Sequence, residues 1–92
     1  MITTKYALIA SEAIGRATNA YGIHGDFETI GAAMNKLSEE RLEASLELSD
    51  FNNATTPEFR RKKVERLRDE LIDEMTVCIR AIHACDAYLE KN

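Results

Sequence analysis

Two short acidic motifs are the residues of this sequence most suited to chemistry. Glu39, Glu40 and Glu43 form E-E-x-x-E, and after a further 26 residues Glu70 and Asp73 form E-x-x-D. Carboxylate oxygens are the ligands that Mg²⁺ prefers, and the ion completes its shell with water or substrate phosphates. The motifs therefore indicate a metal site for phosphate chemistry if they meet in the fold. The alternative is a solvated acidic face, which is common because glutamate favours helices.

The second motif borders an apolar surface. At about 100° per residue, Glu70 and Asp73 fall roughly 100° and 160° to one side of the main apolar seam of their helix. One to three turns later, the same side carries Val77, Ala81 and Ala84. A solvated acidic face usually continues as a polar face, so these carboxylates are expected at a cavity or an interface.

The first motif has a matching flank. Glu40, Glu43 and Glu47 lie roughly 60° to 120° from the predicted inward stripe of their helix, with Lys36 one turn earlier. That stripe comprises Ile30, Met34, Leu37, Ala44 and Leu48. If the two helices pack antiparallel, their acidic flanks face each other, which is costly unless cations or protons intervene.

Three helices are predicted to position these motifs. They span about residues 4–19, from 26 or 27 to 48, and from the stretch TTPE to about 89. Thr55 and Glu58 have the spacing of a capping box for the third helix, and Pro57 is tolerated in its first turn. The residues 49–56 are expected to form a polar loop between antiparallel neighbours.

The third helix carries a continuous apolar seam that predicts core packing. The seam comprises Val64, Leu67, Leu71, Met75, Cys78, Ile82, Cys85 and Leu89. Its two cysteines are about 10 Å apart along the helix axis, too far for a disulfide, and are expected to be reduced core residues.

Composition predicts one all-α domain over residues 1–92. Hydrophobic residues make up 45% and charged residues 30%, and only 4 Gly and 1 Pro interrupt the chain. Such a short chain buries a modest core, so pairing with a second copy is a natural way to complete it. No apolar run is long enough for a membrane span and no secretion signal is recognisable, so a soluble cytoplasmic protein is expected. The net charge of −4 argues against nucleic acid as a partner.

The two acidic motifs resemble those of MazG-like all-α nucleoside triphosphate pyrophosphatases. That family pairs an E-E-x-x-E helix with an E-x-x-D helix at about this separation. The stretch KLSEE, residues 36–40, looks like the start of the first family motif, and DELIDEMTVCIRAI, residues 69–82, is similar to the second motif's helix. The resemblance covers roughly residues 27–89.

The resemblance implies an antiparallel helical bundle completed by homodimerisation, as a dimer or a dimer of dimers. It also implies Mg²⁺-dependent hydrolysis of an NTP or dNTP to the monophosphate and pyrophosphate, with Mn²⁺ as the other suitable ion. The metal ligands implied by position are Glu40, Glu43, Glu70 and Asp73. Glu39, next to them, would act as the catalytic residue that orients the attacking water.

Three basic residues are predicted to contact the substrate phosphates: Lys36, Lys63 and Arg66. The alternative for Arg66 is an ion pair with Glu70 four residues later. Glu74 departs from the family pattern and is predicted to be either an extra ligand or a salt-bridge partner.

Two other functions remain open. The apolar seam would also suit a non-catalytic helical dimer acting as an interaction or regulatory module. The basic run at 60–68 suggests nucleic-acid binding, but its charges are spread around the helix. His83 lacks the Glu-x-x-His context of a di-iron bundle, which excludes that class.

Overall fold

The computed structural model describes residues 4–24 and 27–91, and all of them except 27–29 and 54–56 lie in α-helices. Helix α1 spans Thr4–His24, α2 spans Ile30–Asn53 and α3 spans Pro57–Lys91. The predicted all-α class is therefore confirmed, with no strand in these ranges. Within them, no helix is long and apolar enough to cross a membrane.

Threonines cap the two later helices. The Thr29 hydroxyl accepts a hydrogen bond from the Ala32 amide at 3.0 Å, at the start of α2. At the start of α3, the Thr56 hydroxyl accepts from the Phe59 amide at 3.3 Å. The predicted capping box of Thr55 and Glu58 was wrong, because a helix that begins at Pro57 has Thr56 as its N-cap.

The predicted loop at 49–56 was also wrong, since α2 continues to Asn53. Its last turns are held by side chains as well as by backbone. The Asn53 side chain donates to the Ser49 carbonyl at 2.9 Å, and the Arg60 guanidinium of α3 lies 4.5 Å from the centre of the Phe51 ring. Only residues 54–56 connect α2 to α3.

Helix α1 likewise runs past the predicted end near residue 19 to His24. It passes through Gly22, which costs a helix only about 1 kcal/mol relative to alanine. α3 is a single helix of 35 residues, longer than either of the others.

Helix α3 is the centre of the fold. It contacts both α1 and α2, whereas α1 does not contact α2 anywhere in the described ranges. α2 and α3 are antiparallel, because Glu47 pairs with Lys63 and Arg41 pairs with Glu74 further along α3. The predicted antiparallel arrangement of the two motif helices is thereby confirmed.

Small side chains form most of the buried core. The buried apolar residues are Ala13, Ala17, Ala33, Ala44, Ala54, Ile72, Val77, Ala81 and Ala84. Because α1 contacts only α3, its buried alanines Ala13 and Ala17 must face α3. Alanine surfaces let helix backbones approach closely, but each buries little apolar area.

The predicted core position of the apolar seam was wrong for most of its residues. Leu71 is 51% exposed, and Val64, Met75, Ile82 and Leu89 are also exposed. α3 is rotated so that Val77, Ala81 and Ala84 are buried instead, on the side that also carries Glu70.

Helix α2 shows the same rotation. Of its predicted inward stripe, Ala44 is buried but Ile30, Met34 and Leu48 are exposed. Ala33 and Glu40, from outside the stripe, are buried as well. The acidic flanks of the two helices therefore turn towards each other more than the apolar stripes do.

Candidate metal centre

The antiparallel contact of α2 and α3 brings three predicted metal ligands together. Glu40 and Glu43 come from α2 and Glu70 from α3, and one carboxylate oxygen of each lies within 4.8 Å of the others. We call these three residues the glutamate cluster. Two oxygens that each lie about 2.1 Å from one Mg²⁺ are at most about 4.2 Å apart, so the cluster would have to close slightly to hold one such ion.

Two members of the glutamate cluster are withdrawn from water. Glu40 is only 8% exposed, in a helix surface otherwise lined by small residues. The Glu70 Oε2 atom is buried and has no hydrogen-bond partner. A buried acceptor without a partner is costly, and a bound cation would satisfy it.

Burial and like charge both shift the acidity of the cluster. Burial raises the pKa of Glu70 to about 7, and a hydrogen bond with Glu43 and the negative charge of that residue contribute to the increase. Burial also raises the pKa of Glu40, and the charge of Glu43 adds to this, although Lys36 acts in the opposite direction. Without a cation, these shifts favour the protonated form of Glu70 below about pH 7.

Asp73, the fourth predicted ligand, lies beside the cluster rather than within it. Its charge contributes to the raised pKa of Glu40 and Glu70, so it is electrostatically coupled to both. Its Oδ1 accepts a hydrogen bond from Arg16 of α1 at 3.3 Å. The Asp73 side chain is about half exposed, which leaves it open to solvent and to a ligand.

Arg16 is the site residue that sequence reasoning missed. Its guanidinium bridges Asp73 and Glu12, at 3.3 and 2.7 Å. The spacing of Ala13 and Ala17 indicates an inward face on α1, which is a weak signal for where Arg16 lies. Nothing in the sequence pattern pairs Arg16 with Asp73, 57 residues away.

Lys36 lies at the edge of the cluster, as the sequence predicted. Its ammonium is 3.4 Å from Glu40 and 3.5 Å from Glu39. Burial lowers the pKa of Lys36, but its contacts with Glu40 and Glu39 outweigh this and raise the pKa overall. Glu39, the predicted catalytic residue, is 66% exposed and contacts the cluster through Lys36.

Lys63 has a different environment from the one predicted for a phosphate-binding residue. Its side chain is 8% exposed, and its ammonium lies 3.2 Å from Glu47 and 2.9 Å from Asp50 of α2. The hydrogen bond to Asp50 is the main cause that raises the pKa of Lys63. With both carboxylates in contact, Lys63 ties α3 to the last turns of α2, and Glu47 is drawn away from the cluster.

The surroundings of Arg66 and Glu74 bear on the alternatives predicted for these two residues. Arg66 is exposed and forms no ion pair with any residue that the structure describes, so the alternative of a pair with Glu70 was wrong, and contact with phosphate stays a prediction. Glu74 lies 3.8 Å from Arg41 across the α2–α3 contact. Of the two alternatives for Glu74, the salt-bridge partner is therefore the one observed.

Comparison with known proteins finds no relatives of this chain. No protein-family model, no curated protein and no solved structure matches it. The geometry of the site is thus the main ground on which a function can be argued.

Proposed function

We propose that this chain is a Mg²⁺-dependent nucleoside triphosphate pyrophosphohydrolase of the MazG-like kind, acting in the cytoplasm. It would cleave an NTP or dNTP to the monophosphate and pyrophosphate. The observation that carries the proposal is the glutamate cluster, in which Glu40, Glu43 and Glu70 converge from two helices. The resemblance of both acidic motifs to that family supports the choice of reaction.

The residues present fit a hard divalent cation. The donors are carboxylate oxygens only, and they converge on one small volume. The buried, unpartnered Oε2 of Glu70 adds an acceptor that the protein itself does not satisfy. Three carboxylates at this separation repel one another, so a cation or a proton is needed to hold them together.

In this proposal the glutamate cluster holds the cation, and Asp73 joins it from the exposed side. When bound, Mg²⁺ would neutralise charge developing on the phosphates and make a coordinated water a better nucleophile. Glu39 is solvent-exposed and lies one residue before Glu40, and in this proposal its carboxylate would orient the attacking water.

Two basic residues next to the cluster are suited to the triphosphate. Lys36 contacts Glu40, and Arg16 contacts Asp73, and both side chains are close to half exposed. The cation would take over Glu40 and Asp73, while Glu39 and Glu12 would remain beside Lys36 and Arg16. Lys36 and Arg16 would then be available to the phosphates, where an arginine binds two oxygens at once.

The test is pyrophosphate release from a panel of NTPs and dNTPs, with Mg²⁺ and with chelator. We expect release with at least one nucleotide only when the metal is present, and loss of release in Glu70→Gln. The matched control is Glu65→Gln, which changes an exposed glutamate on the same helix whose partner is Arg61. Equal activity of the two variants would refute the assignment of the site.

The second candidate function is a non-catalytic helical dimer that acts as an interaction or regulatory module. The observation that favours it is the exposure of the apolar seam of α3, because large exposed apolar surfaces are typical of protein–protein interfaces. Metal dependence separates the two candidates. A pure interaction module has no reason to be stabilised by millimolar Mg²⁺, whereas a protein with a metal site is.

A further inference from the structure

The part of α3 that carries the second acidic motif lies between the other two helices. α1 and α2 each contact α3, but they do not contact each other in the described ranges. Arg16 of α1 lies 3.3 Å from Asp73, and Glu43 of α2 lies beside Glu70. The face of α3 that carries Glu70 and Asp73 is therefore bordered by α1 on one side and by α2 on the other.

Two further residues continue this face towards the C-terminus of α3. Val77 follows Glu70 by seven residues, and Arg80 follows Asp73 by the same interval. Seven residues are about two helical turns, so the two members of each pair lie on one side of the helix, about 10 Å apart. Val77 is buried and Arg80 is half-buried. A ligand whose phosphates are bound at the two carboxylates can extend past an apolar residue to a cationic one.

The Arg80 guanidinium lies against an aromatic ring. Its Cζ atom is 4.3 Å from the centre of the Phe27 ring. Phe27 belongs to the connection between α1 and α2, so this contact places the connection next to α3, two turns beyond Asp73. Both side chains are half-buried, which leaves part of the pair accessible to a ligand. Contact with the ring restricts where the guanidinium can lie, and a restricted guanidinium loses less freedom when it binds.

A guanidinium in a fixed position distinguishes nucleobases by their hydrogen-bond acceptors. It has five N–H donors and no acceptor, and it binds two adjacent acceptors most strongly. Guanine has such a pair at O6 and N7, and cytosine has one at O2 and N3. On adenine, N1 and N7 each lie next to the amino group, and on uracil and thymine an N–H separates the two carbonyls. A base would use two of the five donors, so Arg80 can keep its other contacts within the protein.

We propose that Arg80 and Phe27 form a base-recognition subsite that selects nucleotides of guanine or cytosine. The inference rests on the proposed function, because the glutamate cluster and its cation hold the phosphates while the base reaches Arg80. Arg80 donates two parallel hydrogen bonds to the base, and Phe27 positions its guanidinium. The feature that the selected bases share is a pair of adjacent acceptors, which adenine and uracil lack.

The test is the affinity of the full chain for the α,β-methylene analogues of GTP, CTP, ATP and UTP, measured by titration calorimetry with Mg²⁺. The methylene group replaces the oxygen at which the proposed reaction would cleave, so binding is measured without turnover. We expect the GTP or the CTP analogue to bind at least about tenfold more tightly than the ATP and UTP analogues, the value of one bidentate contact with a base. Comparison of the GTP and CTP analogues distinguishes guanine from cytosine.

Three variants separate base recognition from a structural role. Arg80→Lys keeps the positive charge but cannot form the bidentate contact, so most of the preference should be lost. Phe27→Leu removes the ring and should reduce the preference, with little change in affinity for the ATP analogue. Arg68→Met is the matched control, because Arg68 is exposed on the side of α3 opposite Glu70, and it should keep the preference. The preference is a ratio of two affinities for one sample, so partial unfolding of a variant does not alter it.

Three results would overturn the subsite: equal affinity for the four analogues, tightest binding of the ATP or UTP analogue, or a preference that Arg80→Lys retains. Each of them leaves the proposed enzyme standing if pyrophosphate is released from the natural nucleotides. If no analogue binds and no nucleotide is cleaved, the proposed function fails, and the base-recognition subsite fails with it.

Discussion

Glu43 and Glu70 face each other across the antiparallel contact of α2 and α3, close enough for their carboxyl groups to share a hydrogen bond. Such a bond requires a proton between the two groups, and burial helps to retain it. The same two groups can instead share a cation. In the proposed metal site, a proton and a divalent ion would therefore compete for this pair.

Replacement of Glu70 by glutamine should abolish nucleotide hydrolysis and stabilise the metal-free protein. Glutamine keeps the shape of the side chain but removes the charge that Glu40 and Glu43 repel. We expect a gain on the order of 1 kcal/mol in the free energy of unfolding at pH 7.5, from chemical denaturation with chelator present. A less stable Glu70→Gln variant would mean that the Glu70 carboxylate is not under repulsion.

The stability of the metal-free protein should fall between about pH 4.5 and pH 7. Glu70 has an ordinary pKa of 4.5, which burial raises to about 7 in the folded chain. In this window the folded state holds more protons than the unfolded state, so each rise in pH favours unfolding.

The measurement is the difference in unfolding free energy between the wild type and Glu70→Gln across this window. The difference should grow with pH by about 1 to 3 kcal/mol and level off above pH 7. A pH-independent difference would contradict the raised pKa. Millimolar Mg²⁺ should remove most of the wild type's loss of stability at higher pH, because bound metal replaces the proton.

Arg16→Ala should weaken substrate binding while leaving the metal site in place. The Arg16 guanidinium lies 3.3 Å from Asp73. In the proposal, Arg16 leaves this carboxylate when substrate binds and contacts the phosphates instead. We expect KM for the nucleotide to rise about tenfold, the value of one lost charge-assisted contact.

Titration calorimetry with Mg²⁺ alone distinguishes this role from a structural one. Removing Arg16 frees Asp73, so Mg²⁺ should bind the variant at least as tightly as the wild type. Arg16→Lys should recover part of the lost affinity for the nucleotide. Weaker Mg²⁺ binding in Arg16→Ala would show instead that Arg16 positions Asp73 for the metal.

Lys63→Met should destabilise the fold without changing nucleotide affinity. The buried ammonium contacts Glu47 and Asp50, and its removal leaves two carboxylates without their counter-charge. We expect Tm to fall by about 5 °C or more, as measured by circular dichroism. Lys62→Met, at the exposed neighbouring position, is the control and should melt like the wild type. A higher KM with an unchanged Tm would restore the sequence-based prediction that Lys63 contacts phosphate.

The sequence predicted the glutamate cluster better than it predicted the core. Matching acidic flanks and the family resemblance placed Asp73 together with Glu40, Glu43 and Glu70. The three glutamates do converge, whereas Asp73 lies beside them. The apolar seam was assigned to the core because large apolar side chains usually avoid water, yet Leu71 and Ile82 are exposed in the single chain. Periodicity identifies an apolar stripe but not which surface covers it.

Tertiary contacts between residues far apart in the chain could not be predicted from the sequence. Arg16 reaches Asp73 only because the alanine face of α1 packs on α3, and no local pattern encodes that pairing. The end of α2 was misplaced because tertiary contacts, namely Lys63 with Asp50 and Arg60 with Phe51, stabilise turns whose residues favour a loop.

The most direct test of the proposed enzyme is the identity of the products, followed by phosphorus NMR with wild type and Glu70→Gln side by side. The proposal predicts that, with Mg²⁺, the wild type converts at least one NTP or dNTP into monophosphate and pyrophosphate. It also predicts no conversion with chelator or with Glu70→Gln. The absence of turnover on every nucleotide, together with no thermal shift on adding Mg²⁺, would contradict it and leave the glutamate cluster as a protonated structural contact.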